Sequence, residues 1–298
     1  MHKPVMLDEV LRFAVEARPR TLLDGTFGRG GHTRALMAAL PALRVTALDQ
    51  DEAAIAHAHS AFAAEIGSGR LVVKHFNFHD IANVQGRPGA GFDLILLDLG
   101  VSSPQLDEPA RGFSFYHDGP LDMRMNQSTG ETAADVLNNW PEVQLLQLFQ
   151  KYGEISRPHR VVRAIVNDRK IKAYTGTLQI AGLIERVEGW HKKGHHPATR
   201  YFLALRMVVN NELTGLEACL PDMRAALSAH GRLIVITFHS LEDRIIKYDF
   251  REAPGGFPLT KKVVVPSREE EKENPRARSA KLRVFQQGER DYEPREIE

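Results

Sequence analysis

Short apolar runs alternate with longer stretches of helical periodicity through the first hundred residues of this chain. Leu22–Asp24, Val45–Asp49, Leu71–Val73 and Phe92–Leu99 are nearly continuous in apolar residues, the pattern of strands covered on both faces of a parallel sheet. Between them, Thr33–Leu40 and the alanine-rich Glu52–Ile66 are predicted helices. That is the βαβ rhythm of a doubly wound α/β sheet. It stops at Ser102-Ser103-Pro104. From Thr132 to Gly189 the pattern is helical only. Val143, Leu145, Leu146, Phe149 and Tyr152 follow a 3.6-residue period, as do Val161, Val162, Ile165 and Val166, and then Ile180, Ile184 and Val187. A long helix at Tyr201–Leu213, a further helix to about Ala229, and strands at Leu233–Phe238, Val263–Val265 and Leu282–Phe285 restore the mixed pattern. The charge run Arg268–Glu273 reads as a mobile loop. The economical architecture is one discontinuous α/β domain, 1–105 with 200–298, interrupted by an all-helical insertion at 106–199.

The first strand runs straight into a glycine turn, Gly25-Thr-Phe-Gly-Arg-Gly-Gly31. Glycines there allow backbone to approach a ligand closely, and Asp49, closing the second strand, can accept both hydroxyls of a ribose. A dinucleotide fingerprint requires a third glycine, with helix amides aimed at a pyrophosphate. Here Thr33 stands at that position, and the carboxylate of Asp24 precedes the loop, where it would repel a pyrophosphate. S-adenosylmethionine (AdoMet) has ribose hydroxyls, an amine and a sulfonium, and no phosphate, so it suits this loop. A dinucleotide site, or a strand–turn–helix with no ligand, are the alternatives.

Ligands in open α/β sheets lie beyond the carboxyl ends of the strands. The fourth strand ends there in Asp98, a carboxylate after six mostly apolar residues, which is costly to bury unless used or paired. Methyl transfer from a sulfonium needs no metal, only an in-line nucleophile at attack distance and an exit for a proton. Asp98 is the candidate catalytic residue, orienting a substrate amine; the alternative is a cap for the following turn. His32 inside the glycine loop and Phe78 past the third strand are candidates to touch cofactor, Phe78 by stacking on adenine or else as a core residue. Thirteen histidines invite a metal reading, but there is no H-E-x-x-H pattern and no cysteine cluster, so no metal is expected.

The chain has 298 residues, 43% hydrophobic, with a net charge of +1, enough for a large core and with no bulk preference for a partner. The single cysteine, Cys219, excludes disulfides within the chain and fits a reducing cytoplasm. Charges interrupt the N-terminal apolar residues, and no run approaches eighteen apolar residues, so neither a signal peptide nor a membrane span is expected. The insertion changes the picture. Lys151–Arg200 carries eleven Lys or Arg against four Asp or Glu. Arg157, Arg160, Arg163, Arg169, Lys170 and Lys172 lie in one helix and its flank, with Lys192 and Lys193 in the next loop. Such a patch is the footprint of a polyanion, with Arg160, Arg163, Arg169, Lys192 and Lys193 as candidate RNA contacts; a solvated helix face is the alternative.

Several longer strings match one family nearly end to end: Asp24-Gly-Thr-Phe-Gly-Arg-Gly-Gly-His32, Leu97-Asp-Leu-Gly-Val-Ser-Ser-Pro-Gln105, Gly119-Pro-Leu-Asp-Met-Arg-Met125, His196-Pro-Ala-Thr-Arg200 and Phe238-His-Ser-Leu-Glu-Asp-Arg244. With them the chain resembles the bacterial ribosomal RNA small subunit methyltransferase H family. The resemblance implies a Rossmann-like, class I AdoMet-dependent methyltransferase sheet with an inserted helical domain. It also implies methylation of N4 of a decoding-centre cytidine in 16S rRNA, with the small ribosomal subunit or a late assembly intermediate as substrate. By the same resemblance Gly30, Gly31, His32, Asp49, Phe78, Asp98 and Gln105 contact AdoMet. Asp98 is followed by Leu-Gly-Val and not by the Pro-Pro-aromatic of many amino-methyltransferases, so Phe113, Phe115 or Tyr116 is left to stack the target base. Rival readings are a methyltransferase for another RNA, a protein or a small molecule, and a non-catalytic RNA-binding assembly factor.

Overall fold

The structure, a computed structural model, describes residues 4–189 and 196–289. The strands are β1 (Thr21–Asp24), β2 (Arg44–Asp49), β3 (Leu71–His75), β4 (Phe92–Asp98), β5 (Leu227–Thr237), β6 (Gly256–Pro258) and β7 (Lys281–Gln287). They form one sheet in the order β3-β2-β1-β4-β5-β7-β6. The first five pair in parallel, and β7 runs antiparallel to both β5 and β6.

Alternation of side chains explains why these strands read as continuous apolar runs. Leu22, Leu94, Leu96, Ile234 and Ile236 point to one face, under the helices Leu7–Ala17 and Gly31–Ala39. Their neighbours Leu23, Ile95, Leu97, Leu233 and Val235 point to the other, beneath Leu216, Leu220, Ile246 and Phe250. Both layers are buried, so Leu94–Leu97 and Leu233–Ile236 at the centre of the sheet are apolar and polar residues gather toward the strand ends.

The chain folds as two compact units, Val101–Thr214 and the described residues on either side of it. The first of these is helical: Ala133–Asn139, Glu142–Lys151, His159–Asp168, Thr177–Glu188 and Ala198–Val209 enclose a core of Leu137, Leu145, Phe149, Val161, Ile165, Ile184, Tyr201 and Leu205. Asn210 closes it, accepting from the Met125 N–H at 2.7 Å and donating to the Met123 carbonyl at 2.8 Å. Among the described residues no helix is long and apolar enough to cross a membrane.

Several elements differ from expectation, each for a local reason. The helix expected at Tyr201–Leu213 is Ala198–Val209, and it belongs to the helical unit because Tyr201, Phe202 and Leu205 face that core. The helix expected over Glu52–Ile66 breaks at Phe62, whose ring turns in edge-on against Phe27, 5.3 Å between centroids. The next helix ends at Ala225 and β5 begins at Leu227, so the strand takes residues expected to be helical. Val263–Val265 contributes a single bridge, Val264 to Leu282, and the strand on that edge is instead Gly256–Pro258. Arg268–Glu273 is a helix and not a loop. Ser267 caps it by accepting from the Glu270 N–H at 3.1 Å, and three glutamates sit in its first turn, where the helix dipole favours them.

Candidate active site

Strand order reverses between β1 and β4, the switch point beyond whose carboxyl ends open α/β sheets take their ligands. The glycine loop is seated there. The Gly25 N–H donates to the Leu96 carbonyl at 2.9 Å, and a Cβ at Gly25 would lie 2.5 Å from Leu97 and 3.3 Å from Phe78. Only glycine allows β1 to turn that close to β4. Gly30 is required twice over. Its φ is +70°, and a Cβ there would meet the Phe27 and Phe62 rings at 2.5 Å.

Three carboxylates end the three strands around this loop, and each has a different state. Asp24 is fully buried; its Oδ2 accepts from Thr33 Oγ1 at 2.6 Å and its Oδ1 from the Thr26 N–H at 3.2 Å. Burial raises its pKa against those bonds. Thr33, at the position where a dinucleotide loop has its third glycine, is therefore the partner that ties Asp24 into the loop. Asp49 accepts from the Gly28 N–H at 2.7 Å and the Asp51 N–H at 2.9 Å. A carboxylate has about four acceptor positions, so two remain for a ligand's hydroxyls. Burial pushes its pKa up to about 6, against the pull of those two amides. Asp98 is held through its backbone N–H, which donates to Thr26 Oγ1 at 2.6 Å.

The side chain of Asp98 is differently placed. Its Oδ1 is buried with no hydrogen-bond partner, and its Oδ2 lies 3.5 Å from His32 Nε2. His32 is buried in the first turn of its helix, and neither ring nitrogen makes a hydrogen bond. Buried polar atoms without partners are rare and destabilising, so these mark where a ligand's polar groups would be received. Phe78 is half-buried beside Gly25, with His79 edge-on to it at 4.4 Å between centroids. His79 is pressed from its other side by Gly215, where a Cβ would lie 2.3 Å from the imidazole, and burial depresses its pKa to about 4. A neutral His79 therefore braces Phe78 in place. Asn77 fixes the same turn, accepting from the His79 N–H at 3.0 Å and donating to Gln50 Oε1 at 3.0 Å.

Glycine loop, ribose-type acid, aromatic platform and an acid with one unpartnered oxygen thus share one sheet edge, and comparison with known proteins names the set. Residues 1–288 match the MraW methylase family. The chain belongs to that family. It is 54% identical to the ribosomal RNA small subunit methyltransferase H of Bdellovibrio bacteriovorus over 97% of this chain and 89% of the relative. With the protein of the same description from Rippkaea orientalis it shares 48% identity, covering 88% and 84%. The N-methyltransferase NodS of Bradyrhizobium japonicum, solved with S-adenosyl-L-homocysteine, superposes with a TM-score of 0.41 at 10% identity, covering 95% and 86%. By that family membership the chain is an AdoMet-dependent methyltransferase.

In this MraW methylase, Gly30, Gly31, His32, Asp49, Phe78 and Asp98 all lie at the sheet edge of one unit. Gln105 belongs to the helical unit, where it is buried in the first turn of Ser103–Asp107 and its Oε1 accepts from the Ser102 N–H at 2.9 Å. Thr26 and Thr33 were not among the expected residues. Thr26 meets Asp98 of the neighbouring strand, which only the folded sheet supplies, while Thr33 reaches back to Asp24 across the loop's own turn.

The basic residues divide. Arg160 and Arg163 are exposed on His159–Asp168, opposite buried Val161, Val162 and Ile165. Arg169 faces inward: its Nη1 donates to the carbonyls of Leu137 and Trp140, both at 2.8 Å, and so caps the helix Ala133–Asn139. Lys192 and Lys193 lie outside the described residues. Of the three aromatics left to stack a base, Phe113 is buried in the helical core and Phe115 packs on His196 and Phe202 at 4.6 and 4.8 Å, while Tyr116 is exposed.

Proposed function

We propose that this methylase transfers the methyl group of AdoMet to N4 of a cytidine in the decoding centre of small-subunit 16S rRNA, acting in the cytoplasm on a small ribosomal subunit or a late assembly intermediate. The observation that carries the chemistry is the sheet edge itself, where a ribose-type acid and an acid with one buried, unpartnered oxygen flank a glycine loop. The substrate class rests on the ribosomal RNA methyltransferase description shared by relatives that match this chain almost end to end. When bound, AdoMet supplies a methyl group already activated by the sulfonium.

Asp49 takes the ribose hydroxyls on its two remaining acceptor positions, while Phe78, braced by His79, packs on the adenine. Gly30 and Gly31 let the backbone approach. Asp98 accepts an N–H of the exocyclic amine, which turns the nitrogen lone pair toward the methyl carbon and holds it at attack distance. Transfer to the amine held by Asp98 would release S-adenosylhomocysteine, and the proton the nitrogen gives up would pass to solvent. Arg160 and Arg163 hold RNA by its phosphates, while Arg169 stabilises the unit that presents them.

Methyl-labelled AdoMet incubated with the enzyme and either small subunits or protein-free 16S rRNA tests this reading. Label recovered as N4-methylcytidine after nuclease digestion supports it. Label in a ribosomal protein, or in no macromolecule, defeats it.

A further inference from the structure

In the helical unit, the helices His159–Asp168 and Thr177–Glu188 leave an open groove of about 540 Å³. It is lined by Ile171, Lys172, Tyr174, Gln179, Gly182 and Arg186, among others. Nothing in the methyl-transfer site uses these residues.

Four features of the groove point to a ligand. Tyr174 is 6% exposed, yet its hydroxyl is buried without a hydrogen-bond partner. Asn138 holds its backbone from both sides, accepting from its N–H at 2.9 Å and donating to its carbonyl at 2.8 Å. Gln179 is fixed as well. Its Oε1 accepts from the Thr175 N–H at 2.8 Å and the Gly176 N–H at 3.1 Å, which leaves the amide NH₂ as a preset pair of donors. Ile171 is 90% exposed, an aliphatic side chain set between exposed Lys170 and Lys172. Finally, a Cβ on Gly182 would meet nothing within 4 Å, so the helix face there is bare.

Burial, with Asp168 nearby, pushes the Tyr174 phenol up to about 12. The group is therefore a neutral hydroxyl, both donor and acceptor, at any physiological pH. A polar edge is met by Tyr174 and Gln179, a flat apolar face by Ile171, and negative charge by Lys170 and Lys172. The two exposed arginines of the adjoining helix extend that charge. An unstacked nucleotide has the complementary parts, and sequence-selective RNA recognition works by splaying bases out of the helix into such sites. The ion pair Arg186–Asp168, 3.2 Å, lies at the surface and is solvated, so it does not close the groove.

We propose that this groove receives one unstacked base of the RNA substrate, a nucleotide other than the one methylated, with Lys170 and Lys172 on the flanking phosphates. The proposal rests on the reading that the substrate is RNA. It makes the helical unit a reader of RNA structure in addition to an electrostatic platform.

Gly182→Leu projects a side chain from the bare wall, where a Cβ meets nothing within 4 Å, and Tyr174→Phe removes only the hydroxyl. Affinity for protein-free 16S rRNA and for small subunits is measured over a salt series, alongside AdoMet affinity and thermal melting. Gly182→Leu is expected to weaken RNA binding tenfold or more and Tyr174→Phe about threefold. AdoMet affinity and melting temperature should stay at the wild-type value. The salt slope should stay there for Tyr174→Phe, because a base contact releases no counterions, and become slightly shallower for Gly182→Leu, which also displaces the phosphates from Lys170 and Lys172. Unchanged RNA affinity in a folded Gly182→Leu protein, with methyl transfer intact, overturns the groove while leaving the RNA substrate in place. Wild-type protein that binds neither RNA nor subunits fails at the earlier step, the substrate reading. Weakened binding to subunits alone, with protein-free rRNA unaffected, assigns the groove to a ribosomal protein and also overturns the proposal.

Discussion

Replacing Asp49 with Asn removes a charge that the fold itself resists. Burial raises the carboxyl from 3.8 to about 6 despite two amide donors. A raised acid is protonated in the folded state over a range where the unfolded chain has already lost its proton. Stability from this group is thus present below about pH 4 and is lost as pH rises through about 6. The shift of roughly two units corresponds to about 3 kcal/mol, an upper bound because the side chain is partly open to solvent. Asn at this position keeps its size but does not titrate, and its NH₂ opposes one of the two N–H donors at a constant cost of about 1–3 kcal/mol. The wild-type minus Asp49→Asn difference in unfolding free energy should therefore fall between pH 4 and pH 7 by up to about 3 kcal/mol, then level off. The ionised acid is the one that accepts ribose hydroxyls, so AdoMet affinity should move oppositely, weakening about tenfold from pH 7.5 to pH 5 in the wild type and little in the variant. Urea melts across pH, with titration calorimetry for AdoMet, measure both. A flat stability difference refutes the burial argument, and a wild-type AdoMet affinity independent of pH removes Asp49 from the ribose.

Other outcomes follow from the same geometry. Arg169→Ala should destabilise the protein by about 1–3 kcal/mol in denaturant melts, since it uncaps Leu137 and Trp140. Arg160→Ala and Arg163→Ala should each cost under about 0.5 kcal/mol in those melts, while lowering the salt slope of RNA binding by somewhat less than one unit; an unchanged slope makes them a solvated face. Asp98→Asn should reduce turnover by more than it reduces AdoMet affinity, and equal losses confine Asp98 to cofactor binding. Gly30→Ala combines a positive φ with a clash against two rings, so a loss of about 1–3 kcal/mol is expected in thermal melts, and wild-type stability contradicts that packing.

The sheet was legible because burial on both faces leaves few polar positions inside the strands, and Leu22–Asp24, Val45–Asp49 and Phe92–Leu99 are mostly apolar, with acids at the carboxyl ends. The glycine loop and Asp49 were legible because their spacing is local. Harder to see was the helix Leu7–Ala17, although Val10, Phe13 and Ala14 carry its periodicity; charges break the apolar run between them. Strand β6, Gly-Phe-Pro, has no strand-like composition and exists because β7 offers it an edge. Arg169 has the spacing of Arg160 and Arg163, and only the folding of a segment thirty residues earlier sets it apart. Thr26 was invisible for a related reason, since its partner Asp98 arrives on another strand, whereas Thr33 was seen only as a missing glycine and its bond to Asp24 waits on the turn of the loop.

The central claim is a methyl group placed on one cytidine amine of 16S rRNA by this chain. Mass mapping of modified nucleotides in 16S rRNA from cells with the gene, without it, and with an Asp98→Asn copy tests it most directly. The account predicts one N4-methylcytidine, in the decoding centre, that disappears without the gene, returns with the wild-type copy, and is depleted with the variant. An identical modification map in the presence and absence of the chain contradicts it.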